Sequence, residues 1–193
     1  MCYYVTAVLP PRAAVESLRS VAARFGRDLR PLDGSGLGDC LAPGEQYLLT
    51  TVGPCDCNTA LGSKTRSPRA AGPARVDEER RLAAKGWSPA KIDRALGQSQ
   101  AARTRHAALS SAASANDLDR WAGFIVAILG TGLSSISLVL HFYDGPLEAR
   151  IDVPERETIL VAPQQVAELV GDLACLREDT RYDFRTARRR GGK

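Results

Sequence analysis

The 193-residue chain lacks most of the features by which a function is recognised in a sequence. It contains no Walker phosphate loop, no His-Glu-x-x-His zinc motif and no Gly-x-Ser-x-Gly nucleophile motif. Aromatic residues make up only 6% of the chain, and there are two histidines and one methionine. These absences argue against the common P-loop enzymes, zinc proteases and serine hydrolases. The few aromatic residues also give no sign of a base-stacking surface for nucleic acid.

Long apolar segments are missing as well. The longest apolar run, residues 121–129, is much shorter than the roughly 20 residues that a membrane helix needs. No signal peptide is expected, because Pro10 and Pro11 interrupt the N-terminal apolar stretch. Ala and Arg are common, as in GC-rich bacterial genomes, and the net charge of +4 permits an acidic partner without requiring one. We therefore expect a bacterial, cytoplasmic protein without a membrane partner, whose five cysteines stay reduced.

The apolar pattern predicts an α/β or α+β fold with a small mixed sheet of four to five strands and a β-α-β start. The expected strands are residues 3–9, 46–52, 134–143, 147–153 and 158–161. The expected helices are residues 12–27, 77–85, 89–113, 116–129 and 163–174, so that a central helical segment and a C-terminal helix frame the later strands. We expect residues 1–180 to form one domain.

Two segments stand apart from this pattern. Residues 62–75 contain no apolar side chain larger than Ala, which predicts a mobile basic loop. Residues 181–193 are polar and basic and are predicted to be a frayed tail.

The cysteine thiols are the strongest indication of a chemical function in this sequence. Cys55-Asp56-Cys57 follows the second strand, so two soft donors lie in one loop, close enough to bind the same metal ion. Cys2 is the first candidate for a third ligand, and Cys40, Cys175, His106 and His141 are others. Zinc is the cofactor that such a set suggests, and redox sensing by the Cys55/Cys57 pair is the alternative reading of the same thiols.

Cys2 joins that pair only under one topology. A plain β-α-β crossover would make the first two strands parallel, which places Cys2 and the Cys55/Cys57 loop at opposite ends of the sheet. An antiparallel pair, allowed by the long loop over residues 31–45, would bring them together.

Cys2 also has a second possible role. Removal of Met1 would leave a cysteine with a free α-amine, whose pKa of about 8 suits a base for its own thiol. The opening of the chain into a strand resembles the class II glutamine amidotransferases among the N-terminal nucleophile amidohydrolases. The resemblance implies an amidohydrolase with Cys2 as nucleophile. Those proteins continue with Gly-Ile, where this chain has Tyr3-Tyr4.

A second resemblance covers about a fifth of the chain. The opening Met-Cys-x-Tyr, the strand ending Leu-Pro at Pro10, and Thr-Thr-x-Gly-x-Cys-Asp-Cys-x-Thr-x-Leu-Gly over residues 50–62 are similar to an uncharacterised bacterial protein family. The segment Gly86 to Ile92 extends the similarity. This family has no known activity, so the resemblance implies no mechanism.

Residues 77–100 suggest a further alternative. Two predicted helices joined through Gly86 have the outline of a helix-turn-helix, whose second helix would present Lys91, Arg94 and Gln98 to phosphates or base edges. With the basic tail, this segment suggests a nucleic-acid-binding protein. His106 and His141 are isolated in the sequence and indicate no catalytic base.

Overall fold

The computed structural model describes residues 2–32, 36–64, 75–147, 149–162 and 164–187, with the side chains of residues 39, 63, 64, 75–78, 99 and 101–113 left aside. The helices are α1 (Val15–Ala23), α2 (Ala60–Lys64), α3 (Arg75–Ala84), α4 (Pro89–Gly130) and α5 (Val166–Ala174), with a short 3-10 helix at Gly38–Cys40. The strands are β1 (Cys2–Leu9), β2 (Arg30–Pro31), β3 (Gln46–Leu49), β4 (Ser135–Tyr143), β5 (Glu155–Val161) and β6 (Thr180–Thr186).

These strands form one mixed sheet, in the order β2-β3-β1-β4-β6-β5. The α/β class is therefore confirmed, and the six-stranded sheet is larger than the predicted four to five strands. Only β5 and β6 are parallel, and β1 runs antiparallel to both β3 and β4. The predicted strand at 147–153 was wrong, because residues 147 and 149–153 lie in a turn and an irregular segment.

The face of the sheet that the helices cover holds the larger core. Tyr3, Val5, Ala7 and Leu9 of β1 all point into it. Leu18 of α1, Leu173 of α5 and the stretch of α4 near its C-terminal end cover them, with Trp121, Phe124, Ile125 and Ile128 fully buried. These apolar residues recur at helical spacing in the sequence, which accounts for the buried face of α4.

The opposite face of the sheet is covered by irregular segments instead of helices. Val8, Tyr47, Val139 and Tyr143 form a smaller core there, with Leu37, Ile151 and Val153 packed over them. Backbone contacts connect the covering segments, since the Ile151 amide donates to the Gly36 carbonyl at 2.8 Å.

Strand β6 is the clearest error of the sequence prediction. Residues 181–186 were expected to fray, but they pair with both β4 and β5. Arg181 is only 3% exposed, and its guanidinium donates to both carboxylate oxygens of Glu45 at 2.7–2.8 Å and to Asp183 at 3.0 Å. These charges pair with one another, so a polar sequence forms an inner strand of the sheet, between β4 and β5. Residues 188–193 lie outside the described residues.

The chain divides into two compact units, where the sequence predicted one domain over residues 1–180. The first contains residues 1–65 and 116–193, including the whole sheet, and the second contains residues 66–115.

Helix α4 is continuous where two central helices were predicted. Of the predicted mobile loop 62–75, residues 62–64 belong to α2 and Arg75 opens α3, while the rest lies outside the described residues. No helix in the described part of the chain has the length and apolar character needed to cross a membrane.

The buried charges of the first unit make a testable prediction about stability. We expect Arg181→Leu to lower the free energy of unfolding by about 3–5 kcal/mol, because it leaves Asp183 and Glu45 without their buried cation. Arg185→Leu is the matched control in the same strand, since Arg185 is half-exposed and lies 3.5 Å from Asp183. It should cost less than about 1 kcal/mol. Urea unfolding measures both, and equal losses would contradict this account.

The same cluster predicts how stability depends on pH. Burial alone would raise the pKa of Glu45 and of Asp183. Hydrogen bonds from Arg181 to both carboxylates and from Ser137 and Arg156 to Asp183, together with the positive charges of the two arginines, outweigh it and lower both pKa values. A lowered pKa in the folded state means that the unfolded state takes up protons first. Stability should therefore be full above about pH 4 and fall as the pH drops through the lowered values. Unfolding curves between pH 6 and pH 3 test this, and Arg181→Leu should flatten the acid loss.

Candidate functional site

The Cys-Asp-Cys loop packs against the N-terminal part of β1, on the side where β3 does not reach it. Strand β3 pairs with β1 only as far as Leu49, and the Thr50 amide and hydroxyl then donate to the Val5 carbonyl at 3.3 and 2.5 Å. Beyond that point the chain leaves β1 and returns at Asp56. The N-terminal half of β1 therefore depends on the loop for its hydrogen-bond partners along this edge.

Asp56 supplies most of those partners. Its backbone amide donates to the Tyr3 carbonyl at 2.8 Å, and its carboxylate accepts the Val5 amide at 2.8 Å and the Thr51 hydroxyl. The Tyr3 amide in turn donates to the Cys57 sulfur at 3.3 Å. The middle residue of the motif thus replaces a strand, and it fixes the positions of the cysteines on either side of it.

The three predicted thiols come together. The sulfurs of Cys2, Cys55 and Cys57 all lie within 4.8 Å of one another. Cys2 reaches the other two because β1 runs antiparallel to β3, which was the stated condition for its joining them. Cys57 is buried, and Cys2 and Cys55 are half-buried.

This spacing is close to what one metal ion requires. Zinc–sulfur bonds of about 2.3 Å in a tetrahedral site place two sulfurs about 3.8 Å apart. The sulfurs would therefore move by about 1 Å or less to reach a common ion, which rotation about the Cα–Cβ bonds can supply.

The surroundings of Cys55 disfavour its thiolate form when no cation is bound. The Cys57 amide donates to the Cys55 sulfur and by itself lowers the pKa of Cys55. Burial and the neighbouring thiols of Cys57 and Cys2 outweigh that hydrogen bond, so the pKa of Cys55 is raised. The pKa of Tyr4 is also raised, first by burial and then by the negative charges that the three thiols carry when they are ionised. In the absence of a cation the protonated form of Cys55 is therefore favoured, and a bound metal ion would have to displace that proton.

A buried ion-pair system lies next to the loop. The Arg27 guanidinium is 3.8 Å from the Asp56 carboxylate, donates to Asp117, and stacks 3.9 Å over the Trp121 ring. Burial raises the pKa of Asp56 in spite of its hydrogen bonds and the Arg27 charge. The other oxygen of Asp117 accepts the Ala60 amide at 2.8 Å, which connects the start of α2 to α4.

The rest of the motif is explained by packing around Asp56. The Thr59 amide and hydroxyl both donate to the Asp56 carbonyl, at 2.9 and 2.8 Å. A side-chain carbon at Gly62 would collide with that same carbonyl, so only glycine fits there. Leu61 is fully buried in the main core. Asp56, Thr59, Leu61 and Gly62 therefore have structural roles, and Cys57 shares in them because its sulfur accepts the Tyr3 amide.

The other sequence candidates lie apart from the triad. Cys40 donates to the Val153 carbonyl at 3.4 Å on the opposite face of the sheet, and Cys175 is exposed at the end of α5. The side chain of His106 lies outside the described residues. The amidohydrolase role of Cys2 stays a prediction.

His141 belongs to a second group that the sequence did not suggest. Its Nδ1 bonds to Asp179, and the donor atoms of His141, Glu178 and Asp179 lie within 4.8 Å of one another. Glu178 accepts the Phe142 amide at 3.1 Å and lies 3.5 Å from the Tyr3 hydroxyl. The only sequence signal for this group was the adjacent pair Glu178 and Asp179 before β6, and such acidic pairs are common in turns.

The segment proposed as a helix-turn-helix lies in the second unit. Helices α3 and α4 flank a turn at Gly86, where φ is +76°, and Lys91, Arg94 and Gln98 are exposed as expected. Lys91 lies 4.2 Å from the centre of the Trp87 ring. Binding of nucleic acid by this unit stays a prediction.

Comparison with known proteins gives no further guide. No family model, curated protein or solved structure matches this chain.

The close approach of Gly62 to Asp56 predicts the effect of one added methyl group. We expect Gly62→Ala to cost about 1–3 kcal/mol of stability, because the loop backbone must move away from α2. The displaced loop should also expose Cys57, so that a thiol reagent modifies it faster. Gly171→Ala in α5 is the control, since its site is open and exposed. It should stabilise by up to about 1 kcal/mol. Similar effects of the two changes would contradict the assigned contact.

Proposed function

We propose that the protein binds one thiophilic metal ion, zinc in the first place, through the thiolates of Cys2, Cys55 and Cys57. The observation that supports this is the convergence of the three sulfurs within 4.8 Å from two distant parts of the sequence. Thiolates are soft donors, which select zinc or copper(I) over magnesium, calcium and manganese.

The surroundings of the sulfurs support the same proposal. The Tyr3 amide donates to Cys57 and the Cys57 amide donates to Cys55. Backbone donors of this kind orient thiolate ligands and offset their negative charge when a metal is bound. The divalent charge of zinc would then favour the thiolate form of Cys55, which burial and the neighbouring thiols disfavour in the metal-free state.

Three ligands imply an exchangeable site. A structural zinc site normally closes with four protein ligands, and within the described part of the chain the triad has three. A tetrahedral ion here would keep one position for an outside ligand. The proposed function is therefore reversible metal binding, as in a sensor or carrier, and a permanent structural crosslink is the less fitting role.

Elemental analysis tests the proposal directly. Protein purified under reducing conditions and incubated with zinc should retain about one ion per chain after desalting, because three converging thiolates bind tightly. Cys2→Ser, Cys55→Ser and Cys57→Ser should each abolish stoichiometric retention. Incubation with cobalt(II) should produce a sulfur-to-metal charge-transfer band that weakens in each variant.

Cys175→Ser is the matched control, since this thiol is exposed and lies outside the triad. It should retain zinc like the unaltered protein. Wild-type protein without bound metal, or equal retention in all four variants, would contradict the proposal. Free-thiol titration of the same sample before and after mild oxidation separates the redox alternative, which requires Cys55 and Cys57 to form a reversible disulfide without metal.

A further inference from the structure

Cys55 is the central thiol of the triad. It makes hydrogen-bonding contact with the thiols of both Cys57 and Cys2, and all three sulfurs lie within 4.8 Å of one another. Cys55 also lines a cleft of about 280 Å³ in the first unit, through which a small reagent can reach it. Neighbouring thiols of which one is accessible can be oxidised to a disulfide.

The backbone disfavours a disulfide between the two cysteines of the loop. A bond between Cys55 and Cys57 would close a small, strained ring through Asp56. The Asp56 amide donates to the Tyr3 carbonyl at 2.8 Å, and the Asp56 carbonyl accepts the Thr59 amide at 2.9 Å. The backbone between the two cysteines is therefore held in place and cannot turn to suit the torsion angles of such a ring.

Cys2 meets no such restriction when it approaches Cys55. The two residues belong to separate segments of the backbone, so rotation of their side chains can bring the sulfurs together. Cys57 is less suited as the partner of Cys2, since it is buried and its sulfur accepts the Tyr3 amide at 3.3 Å. The favoured pair is therefore Cys2 and Cys55, which are both half-buried.

We propose that a hydroperoxide oxidises Cys2 and Cys55 to a disulfide, and that this bond expels the metal ion from the triad. Release of the ion rests on the proposed function, whereas the disulfide requires only the two thiols. The new bond removes two of the three sulfur donors, and Cys57 alone cannot hold zinc, which needs three or four protein ligands. Metal binding is thereby confined to the reduced protein.

The reaction consumes one molecule of hydroperoxide. The Cys55 thiolate attacks a peroxide oxygen, the O–O bond breaks, and the leaving oxygen takes up a proton, so that Cys55 becomes a sulfenic acid. The Cys2 thiolate then attacks that sulfur, the S–O bond breaks, and the departing hydroxide takes up a proton to form water. The two thiols together lose two electrons, and the hydroperoxide gains them.

Peptide mapping tests the disulfide on reduced, metal-free protein treated with one equivalent of hydrogen peroxide. Without reductant, trypsin should release residues 1–12, which contain Cys2, joined to residues 28–64, which contain Cys55. Cys55→Ser should lose the joined peptide, whereas Cys57→Ser should keep it. A disulfide confined to residues 28–64, or equal yields of the joined peptide from these two variants, would overturn the proposal.

Cys40→Ser is the matched control for this mapping. Cys40 belongs to the same tryptic peptide as Cys55, but it lies on the opposite face of the sheet, where its thiol donates to the Val153 carbonyl. The variant should give as much joined peptide as the unaltered protein. Loss of the joined peptide in Cys40→Ser would assign the bond to the wrong thiol and overturn the proposal.

Zinc release is measured on the same protein after loading with the ion. A chromophoric zinc indicator should record release in step with formation of the joined peptide, and a reductant should restore retention. Zinc that stays bound while the joined peptide forms would overturn the expulsion. A chain that never retains zinc would overturn the proposed function, and the joined peptide would then support the disulfide alone.

Discussion

The docking of Asp56 onto β1 is the interaction on which the site depends. Strand β3 ends at Leu49, which would leave the amides of Tyr3 and Val5 without a neighbouring strand. The carboxylate and the amide of Asp56, together with the Cys57 sulfur, satisfy that edge. An unsatisfied buried amide costs about 1–3 kcal/mol, so the loop has one strongly preferred position. That position brings Cys55 and Cys57 to the start of β1, where Cys2 is.

Burying an aspartate there requires compensation, and Arg27 provides it. The guanidinium lies between Asp56 and Asp117 and stacks on Trp121, so one cation serves two carboxylates and an aromatic ring. Because Asp117 and Trp121 belong to α4, the arrangement ties the loop to the helix that covers the sheet. Removal of Arg27 would leave Asp56 buried without its cation, which is much more costly than the pair is stabilising.

The sequence predicted those parts of the molecule that depend on local pattern. The buried face around Trp121 follows from helical spacing, and the Cys55/Cys57 pair follows from adjacency in a loop. Cys2 could be joined to them only conditionally, because strand direction is decided by sheet pairing between distant residues. Strand β6 was missed for a related reason: Arg181 and Asp183 look like a solvated tail until Glu45, far away in the sequence, is known to face them.

The division of roles within the motif bears on how the triad would bind an ion. Asp56, Thr59 and Gly62 hold the loop through contacts that involve no metal, and the Cys57 sulfur already accepts a backbone amide. The ordering of the ligands is therefore achieved by folding and need not be supplied by the ion, which removes a large part of the usual entropic cost of binding. A small metalloprotein that folds around its zinc couples binding to its whole stability. Here the loop is held by hydrogen bonds that involve no metal, so under the proposed function an ion could leave without unfolding the protein and could therefore exchange.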